Sequence, residues 1–234
     1  MEEQETLKDE IIAEEESPEK KRQYILNMFI LIIGIIVVLG LILLSIKFFA
    51  PKSVDDLIKE IAEKGETKDG YLYNGFVFIH QNELWHTRWQ YGSTMLSLHF
   101  HYGPRDVENV IMIGSLENNT DTSKFYLTFD PSEKNISLIS LASSELALNL
   151  VKGMNVKITP ACLTNSTEEC YDRPIITCEN TNKSVIFVKT SESAAVVFDK
   201  NCITVKGPGN ELLKAVDKFL YRSYKIMQPP ENKA

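Results

Sequence analysis

The feature that most constrains this chain is an uncharged apolar run that extends from Gln23 to Ile46. A helix needs about 20 apolar residues to cross the roughly 30 Å hydrocarbon core of a bilayer. The backbone has no water to bond inside that core, so a spanning segment must be helical. We therefore predict a transmembrane helix over residues 23–47, with the lipid bilayer contacting residues 24–46.

A cleaved secretory signal peptide is the alternative interpretation of this run. The apolar core of such a peptide is usually about 7–15 residues long, and small residues precede its cleavage site. The run here is longer, 22 residues precede it, and Ala50 is followed by Pro51, which is a poor position for cleavage. These observations favour an uncleaved signal-anchor and hence a single-pass membrane protein.

The charges and acceptor sites around the run predict its orientation. Basic residues flank both sides, with a slight excess at Lys20, Lys21 and Arg22, which favours a cytoplasmic N-terminus. Every Asn-x-Ser/Thr acceptor and every cysteine lies after the run, as expected for a domain outside the cell membrane. The predicted glycosylation acceptors are Asn118, Asn135, Asn165 and Asn182.

Composition divides the rest of the chain into four segments. Residues 1–22 carry nine acids and four bases, hence a net charge of −5, and predict a disordered cytoplasmic tail or, alternatively, a docking segment for a basic cytoplasmic partner. Residues 48–70 predict a short amphipathic helix, capped by Ser53, and a linker. Residues 71–227 predict one extracytoplasmic domain, and residues 228–234 a polar tail.

Hydrophobic patterning places strands and helices in separate stretches of this domain. Alternation from residue 75 predicts a strand meander, and good helix formers over 141–152 predict a helix. Short strands follow, including one at 174–178, before a final helix that begins after Asn210 and stops at Gln228. The predicted fold class is α+β: an N-terminal transmembrane helix, then a mixed, strand-rich extracytoplasmic domain with two main helices.

The four cysteines predict two disulfides. Structural zinc sites usually bring ligands in pairs about two to four residues apart, whereas the gaps here are seven, seven and 23 residues. Of the three possible pairings we favour Cys162 with Cys170, around the Asn165 acceptor, and Cys178 with Cys202, between two strands. Reduced core thiols and a metal site are the alternatives.

The four histidines lie close together, at positions 80, 86, 99 and 101. Alternation along a strand places His99 and His101 on one face, and a neighbouring strand could add His86. Three imidazoles can bind one zinc ion and leave an open catalytic position. The pattern therefore permits a metal site, and the alternative is a set of solvent-facing or interface histidines.

Aromatic side chains are concentrated on one predicted strand. Trp85, Trp89 and Tyr91 share a face at i, i+4 and i+6. Such a group can form a stacking platform for sugar rings or a protein-binding face. The alternative is that these rings belong to the hydrophobic core.

Four short motifs suggest a resemblance over residues 71–227: Thr128–Pro131, Arg173–Cys178, and Asn201–Lys206 running into Glu211–Asp217. With these motifs the chain resembles uncharacterised single-pass membrane proteins of archaeal type. The resemblance implies an anchored extracytoplasmic domain. It implies no activity, cofactor or catalytic residue.

The remaining observations narrow the class of function. A net charge of −7 argues against a nucleic-acid binder, which needs basic patches to neutralise phosphates. Serine nucleophile elbows, dinucleotide fingerprints and zinc-protease helices are missing from the sequence. We therefore expect a cofactor-free, non-catalytic binding or assembly module that binds an envelope protein or glycan. The alternatives are a metal-dependent extracytoplasmic enzyme with a His-x-His site, or an accessory subunit of a membrane complex that is recognised through its span or acidic tail.

Overall fold

The structure is a computed structural model that describes residues 18–49 and 53–228. The chain divides into two compact units, Met1–Lys52 and Ser53–Ala234. Together the described residues form an α+β protein with four α-helices and two β-sheets, which confirms the α+β part of the predicted fold class.

The first unit contains one long helix, α1 (Pro18–Phe49). Its proline is the first helical residue, a position at which a backbone N–H would have no hydrogen-bond partner within the helix. The segment Glu19–Ile46 is long and apolar enough to cross a membrane, and none of it is buried. Because α1 begins at Pro18, the last residues of the predicted acidic tail are helical, and the rest of that tail lies outside the described residues.

The second unit contains three helices, two sheets and two short 3-10 turns. The helices are α2 (Val54–Lys64), α3 (Ile136–Met154) and α4 (Glu211–Ser223). The first sheet consists of β1 (Glu66–Thr67), β2 (Gly70–Tyr73), β3 (Phe76–Gln81), β4 (Leu84–Tyr91) and β5 (Thr94–Phe100). The second sheet consists of β6 (Ile111–Leu116), β7 (Lys124–Thr128), β8 (Lys157–Pro160), β9 (Val185–Thr190), β10 (Ala195–Lys200) and β11 (Cys202–Gly207). The 3-10 turns are Pro104–Val107 and Glu168–Cys170.

The first sheet is the antiparallel meander that the alternating pattern predicts, in the order β1 to β5. Its turns use residues that tolerate the left-handed region: Asn74 and Gly75 between β2 and β3, and Asn82 and Glu83 between β3 and β4, all have positive φ. The sheet begins earlier than predicted, because β1 and β2 precede residue 75.

The second sheet is mixed, with the strand order β6-β10-β11-β9-β7-β8. Strands β10 and β11 form an antiparallel hairpin, and every other neighbouring pair is parallel. Helix α3 connects β7 to its parallel neighbour β8, as such crossovers require. The predicted strand at 174–178 is wrong: this segment makes one isolated bridge, between Ile175 and Cys162, and otherwise forms turns and irregular loop.

Helices α3 and α4 contact both sheets and complete one continuous core. Helix α4 packs on β10 and β11, and its buried Tyr221 lies with its ring 4.4 Å from the Phe100 ring of β5. Tyr224, just after α4, donates a hydrogen bond to the Asn149 carbonyl of α3 at 2.7 Å. The chain after α4 approaches α3 so closely here that a Cβ on Gly153 would collide with the Tyr224 ring, which explains the glycine at this position.

Helix α2 belongs to the folded unit and not to a separate linker. Ser53 caps it by accepting a hydrogen bond from the Asp56 N–H, and the chain leaves it at Gly65 with φ 81°. Its apolar face buries Leu57 and Ile61 against β2 and β3. The unit therefore starts at Ser53, earlier than the boundary at residue 71 that composition suggests.

Candidate functional site

Of the three histidines that the sequence groups as metal ligands, the structure brings two together and directs the third, His101, to a different partner. His86 and His99 are cross-strand partners on β4 and β5, with ring centroids 4.7 Å apart. His86 Nε2 bonds the Gln81 carbonyl at 3.0 Å, and His101, which follows the end of β5, bonds Glu145 of α3 through Nδ1 at 2.7 Å. Across residues 18–49 and 53–228, no group of three or more His, Cys, Asp or Glu is placed to hold a metal ion.

His101 instead belongs to a polar cluster that we define by His101, Glu145 and Asp217. Glu145 lies on α3 with its side chain 7% exposed, and Asp217 lies on α4 with no exposure. Asp217 Oδ2 accepts the Tyr102 N–H at 2.8 Å, and Tyr221 donates its hydroxyl to the Tyr102 carbonyl at 2.6 Å. The cluster thus ties the chain after β5 to both main helices.

The charge state of the polar cluster follows from its burial. Burial, then the negative charge of Glu145, raise the pKa of Asp217 well above its usual range. The hydrogen bond to Glu145 raises the pKa of His101. Burial, then the charge of His86, lower the pKa of His99. His101 is the partly exposed partner of the buried Glu145.

A cleft of about 380 Å³ opens beside this cluster, between β5 and α3. Its polar lining includes His99, His101, Glu145 and Lys152, and the rest is mainly leucine. The Nδ1 atom of His101 is already bonded to Glu145. The cluster is consequently arranged to hold the two helices and the end of the strand together.

A larger cleft, which we call the apolar cleft, lies between the inner face of the second sheet and helices α3 and α4. Its volume is about 520 Å³, within the range of about 300–1,000 Å³ that is typical of small-molecule sites. One cation, Arg222, lies at its edge. Its apolar walls include Met112, Leu116, Phe125, Met154, Phe198 and Phe219.

Arg222 also lines an adjoining cavity of about 390 Å³, together with Lys218 one turn earlier on α4. We call these two residues the cationic rim. Lys218 donates to the Glu108 carbonyl at 2.9 Å, while burial, and then the charge of Arg222, lower the pKa of its ammonium group. Burial and a hydrogen bond with the Glu108 carboxylate raise the pKa of Tyr73, in the same cavity, to about 12.

The sequence reasoning missed both the polar cluster and the cationic rim. A basic pair at i and i+4 beside the apolar stripe of the last helix was the visible indication of the rim. The polar cluster had no comparable indication, because Glu145 and Asp217 come from helices that are distant in the chain.

The aromatic face lies mainly against the core. Trp85 contacts Tyr71 with ring centroids 4.9 Å apart, and Trp89 donates its indole N–H to the Tyr224 carbonyl at 3.1 Å. Tyr91 stacks on Trp89 and is 53% exposed. Of the three rings, Tyr91 is therefore the one that an external partner can reach most easily.

The structure contains two disulfides in the pairing that the sequence favoured, Cys162–Cys170 and Cys178–Cys202. The second joins the loop before β9 to the first residue of β11. The four predicted glycosylation acceptors, at positions 118, 135, 165 and 182, are all exposed. Their glycosylation stays a prediction.

Comparison with known proteins supplies no family for this chain. No protein-family model matches it, and the searches of curated proteins and of solved structures find no match.

Proposed function

We propose that this is a single-pass membrane protein whose second unit is a non-catalytic binding or assembly module on the outer side of the cell membrane. The observation that carries the proposal is α1: its segment Glu19–Ile46 includes the uncharged run 23–46, and none of it is buried. Moving one Leu, Ile or Phe side chain out of water is worth roughly 1.5–3 kcal/mol. A core helix would be mostly buried, so lipid is the surrounding that suits α1.

Two further observations support an outer location for the second unit. Disulfides persist in oxidising compartments, and all four cysteines of the chain are paired. The four acceptor asparagines are exposed, as glycosylation in a folded outer domain would leave them. Both features lie on the C-terminal side of α1, which supports an N-terminus in the cytoplasm.

A binding role is favoured by the way in which the polar groups are used. Glu145 and Asp217 are buried; Glu145 bonds His101, and Asp217 accepts the Tyr102 N–H, an arrangement typical of a structural network. The apolar cleft is instead lined mainly by apolar side chains, with Arg222 as its cation. An apolar cleft with few convergent polar groups is the usual form of a ligand site.

Orientation can be tested with two matched single-cysteine additions to the full-length chain. A membrane-impermeant maleimide should label Ser193→Cys, at an exposed position before β10, in intact cells. The same reagent should label Glu14→Cys only after lysis. Retention of residues 1–46 in the mature protein, measured by intact mass, would distinguish an anchor from a cleaved signal peptide. Reversed labelling, or loss of those residues, would overturn the proposal.

The binding role can be tested by exchanging residues 24–46 for an unrelated apolar span of the same length. If the outer unit carries the interaction, the complexes obtained by cross-linking in intact cells should have the same masses as those of the natural chain. Loss of these complexes would assign recognition to the span and contradict a binding role for the outer unit.

A further inference from the structure

Resting on the proposed function, we propose that the apolar cleft binds a single-chain amphiphile with an anionic head group. The apolar chain lies between the second sheet and helices α3 and α4. The head group is bound by the cationic rim, Lys218 and Arg222. This inference names the ligand class of the outer unit as a fatty-acid-like molecule, with a carboxylate or phosphate head.

The walls of the cleft suit an apolar chain. Phe198 and Phe219 lie with ring centroids 6.3 Å apart, and Met112 and Met154 line the cleft from β6 and α3. Methionine side chains are flexible and polarizable, so they adapt to a chain that has many rotamers. Only part of this lining is fully buried, since Met112, Met154 and Phe198 keep intermediate exposure.

The charges at the edge of the cleft specify the sign of the head group. Arg222 is half-buried, and among the described residues no carboxylate lies within ion-pair distance of its guanidinium. Lys218 lies one turn away and bonds a carbonyl oxygen. Glu108, the acid in the same cavity, is bonded to Tyr73. The cavity therefore contains two cationic side chains, Lys218 and Arg222, and one acidic side chain, Glu108. A bound anion would give Arg222 an ionic partner, because guanidinium binds carboxylate and phosphate in a bidentate manner.

The volume limits the number of apolar chains. A cleft of about 520 Å³ corresponds to one drug-sized ligand, which favours a single chain over a two-chain lipid. A glycan is less suitable, because its hydroxyl groups would lose water against walls that offer few hydrogen-bond partners.

Photo-labelling of the full-length chain in phosphatidylcholine nanodiscs tests the proposal. The probe is hexadecanoate that carries a photoreactive diazirine at the end of its chain. Labelled peptides, mapped by mass spectrometry, should include residues that line the cleft on β6, β10 or α4. Labelling of α1 by probe dissolved in the bilayer provides an internal standard.

Competition identifies the head group in the natural chain. Dodecanoate or dodecyl phosphate should displace the probe from the cleft at concentrations about tenfold lower than dodecanol, as expected for a charge-assisted bond. Which of the two anions competes better distinguishes carboxylate from phosphate. Equal competition by dodecanol, or absence of label from the cleft, would overturn the proposal.

Variants test the cationic rim independently. Arg222→Gln should lower cleft labelling about tenfold at low probe concentration, whereas Arg173→Gln, which removes the same charge from a position outside both cavities, should leave it unchanged. Ser223→Phe, which places a ring in the cleft wall, should also lower it. Unaltered labelling in Arg222→Gln would refute the role of the rim. Maleimide labelling of the topology variants does not depend on Arg222, so failure here and failure of the proposed orientation are distinguishable.

Discussion

Replacement of Asp217 by Asn should change how the stability of the second unit depends on pH. An unfolded aspartate has a pKa of about 3.9, and burial beside Glu145 raises the pKa of Asp217 well above this in the folded protein. Between these two values the folded state holds one proton more than the unfolded state. The free energy of unfolding must therefore fall as the pH rises through this window.

The magnitude follows from the number of protons. One proton corresponds to about 1.4 kcal/mol per pH unit, so within this window the natural chain should lose at most about 1.4 kcal/mol of stability per pH unit through this group. An asparagine at position 217 can still accept the Tyr102 N–H and does not titrate. The stability of Asp217→Asn relative to the natural chain should therefore rise with pH through the same window, at up to that rate.

Titration of other groups in that window is common to the two chains, including that of His99, whose lowered pKa makes stability rise with pH up to about 6.5. The exposed carboxylates with lowered pKa values, Glu66, Asp121 and Glu169, are already ionised by about pH 5. The raised pKa of His101 adds stability that is present below about pH 6.5 and is lost as the pH rises through the folded-state value, and this contribution occurs in both chains.

Urea titrations of full-length protein in a non-ionic detergent measure the effect. The two tryptophans of the chain, Trp85 and Trp89, both lie on β4, so their fluorescence reports unfolding of the second unit alone. Asp199→Asn, which removes an exposed carboxylate from β10, is the matched control and should follow the natural pH dependence. Identical pH dependence of stability for the natural chain and Asp217→Asn at all values above the unfolded-state pKa of about 3.9 would refute the raised pKa of Asp217.

Three further outcomes are expected from the same assay. His101→Ala should destabilise the protein by about 1–3 kcal/mol because it leaves the buried Glu145 without its partner. His99→Ala, at an exposed position, should change stability by less than about 0.5 kcal/mol, and equal effects of the two variants would contradict the role of His101. Joint replacement of Cys178 and Cys202 by Ser should cost about 3 kcal/mol, and intact mass of the unreduced natural chain should show no free thiol. Trp89→Phe should cost about 1–3 kcal/mol, since the indole donates to a carbonyl after the last helix, and a neutral result would place this ring outside the core.

Local pattern and spacing were sufficient to predict much of this fold. The apolar run predicted α1, alternation predicted the meander, and helix formers predicted the positions of α3 and α4. The disulfide pairs followed from spacing because each closes a short stretch of chain. Each of these features depends on residues that are near one another in sequence, or on one dominant solvent preference.

The site was less predictable because it depends on where elements end and what covers them. Strict alternation predicted that His99 and His101 share a strand face, but β5 ends at Phe100, so His101 is free to turn toward Glu145. The sequence likewise showed that Trp89 shares a strand face with its aromatic neighbours. It did not show that the end of α4 covers that face, because such packing depends on long-range contacts.

The position of α4 between two sheets explains both the raised pKa of Asp217 and the cationic rim. A helix with apolar contacts on two sides keeps only a narrow stripe for charged groups. Asp217 lies outside that stripe, and its burial raises the pKa of its carboxyl. Lys218 and Arg222 lie along the stripe and line the cavity that adjoins the apolar cleft. Because burial and Arg222 lower the pKa of Lys218, an anion bound there should raise that pKa, and its affinity should weaken at alkaline pH.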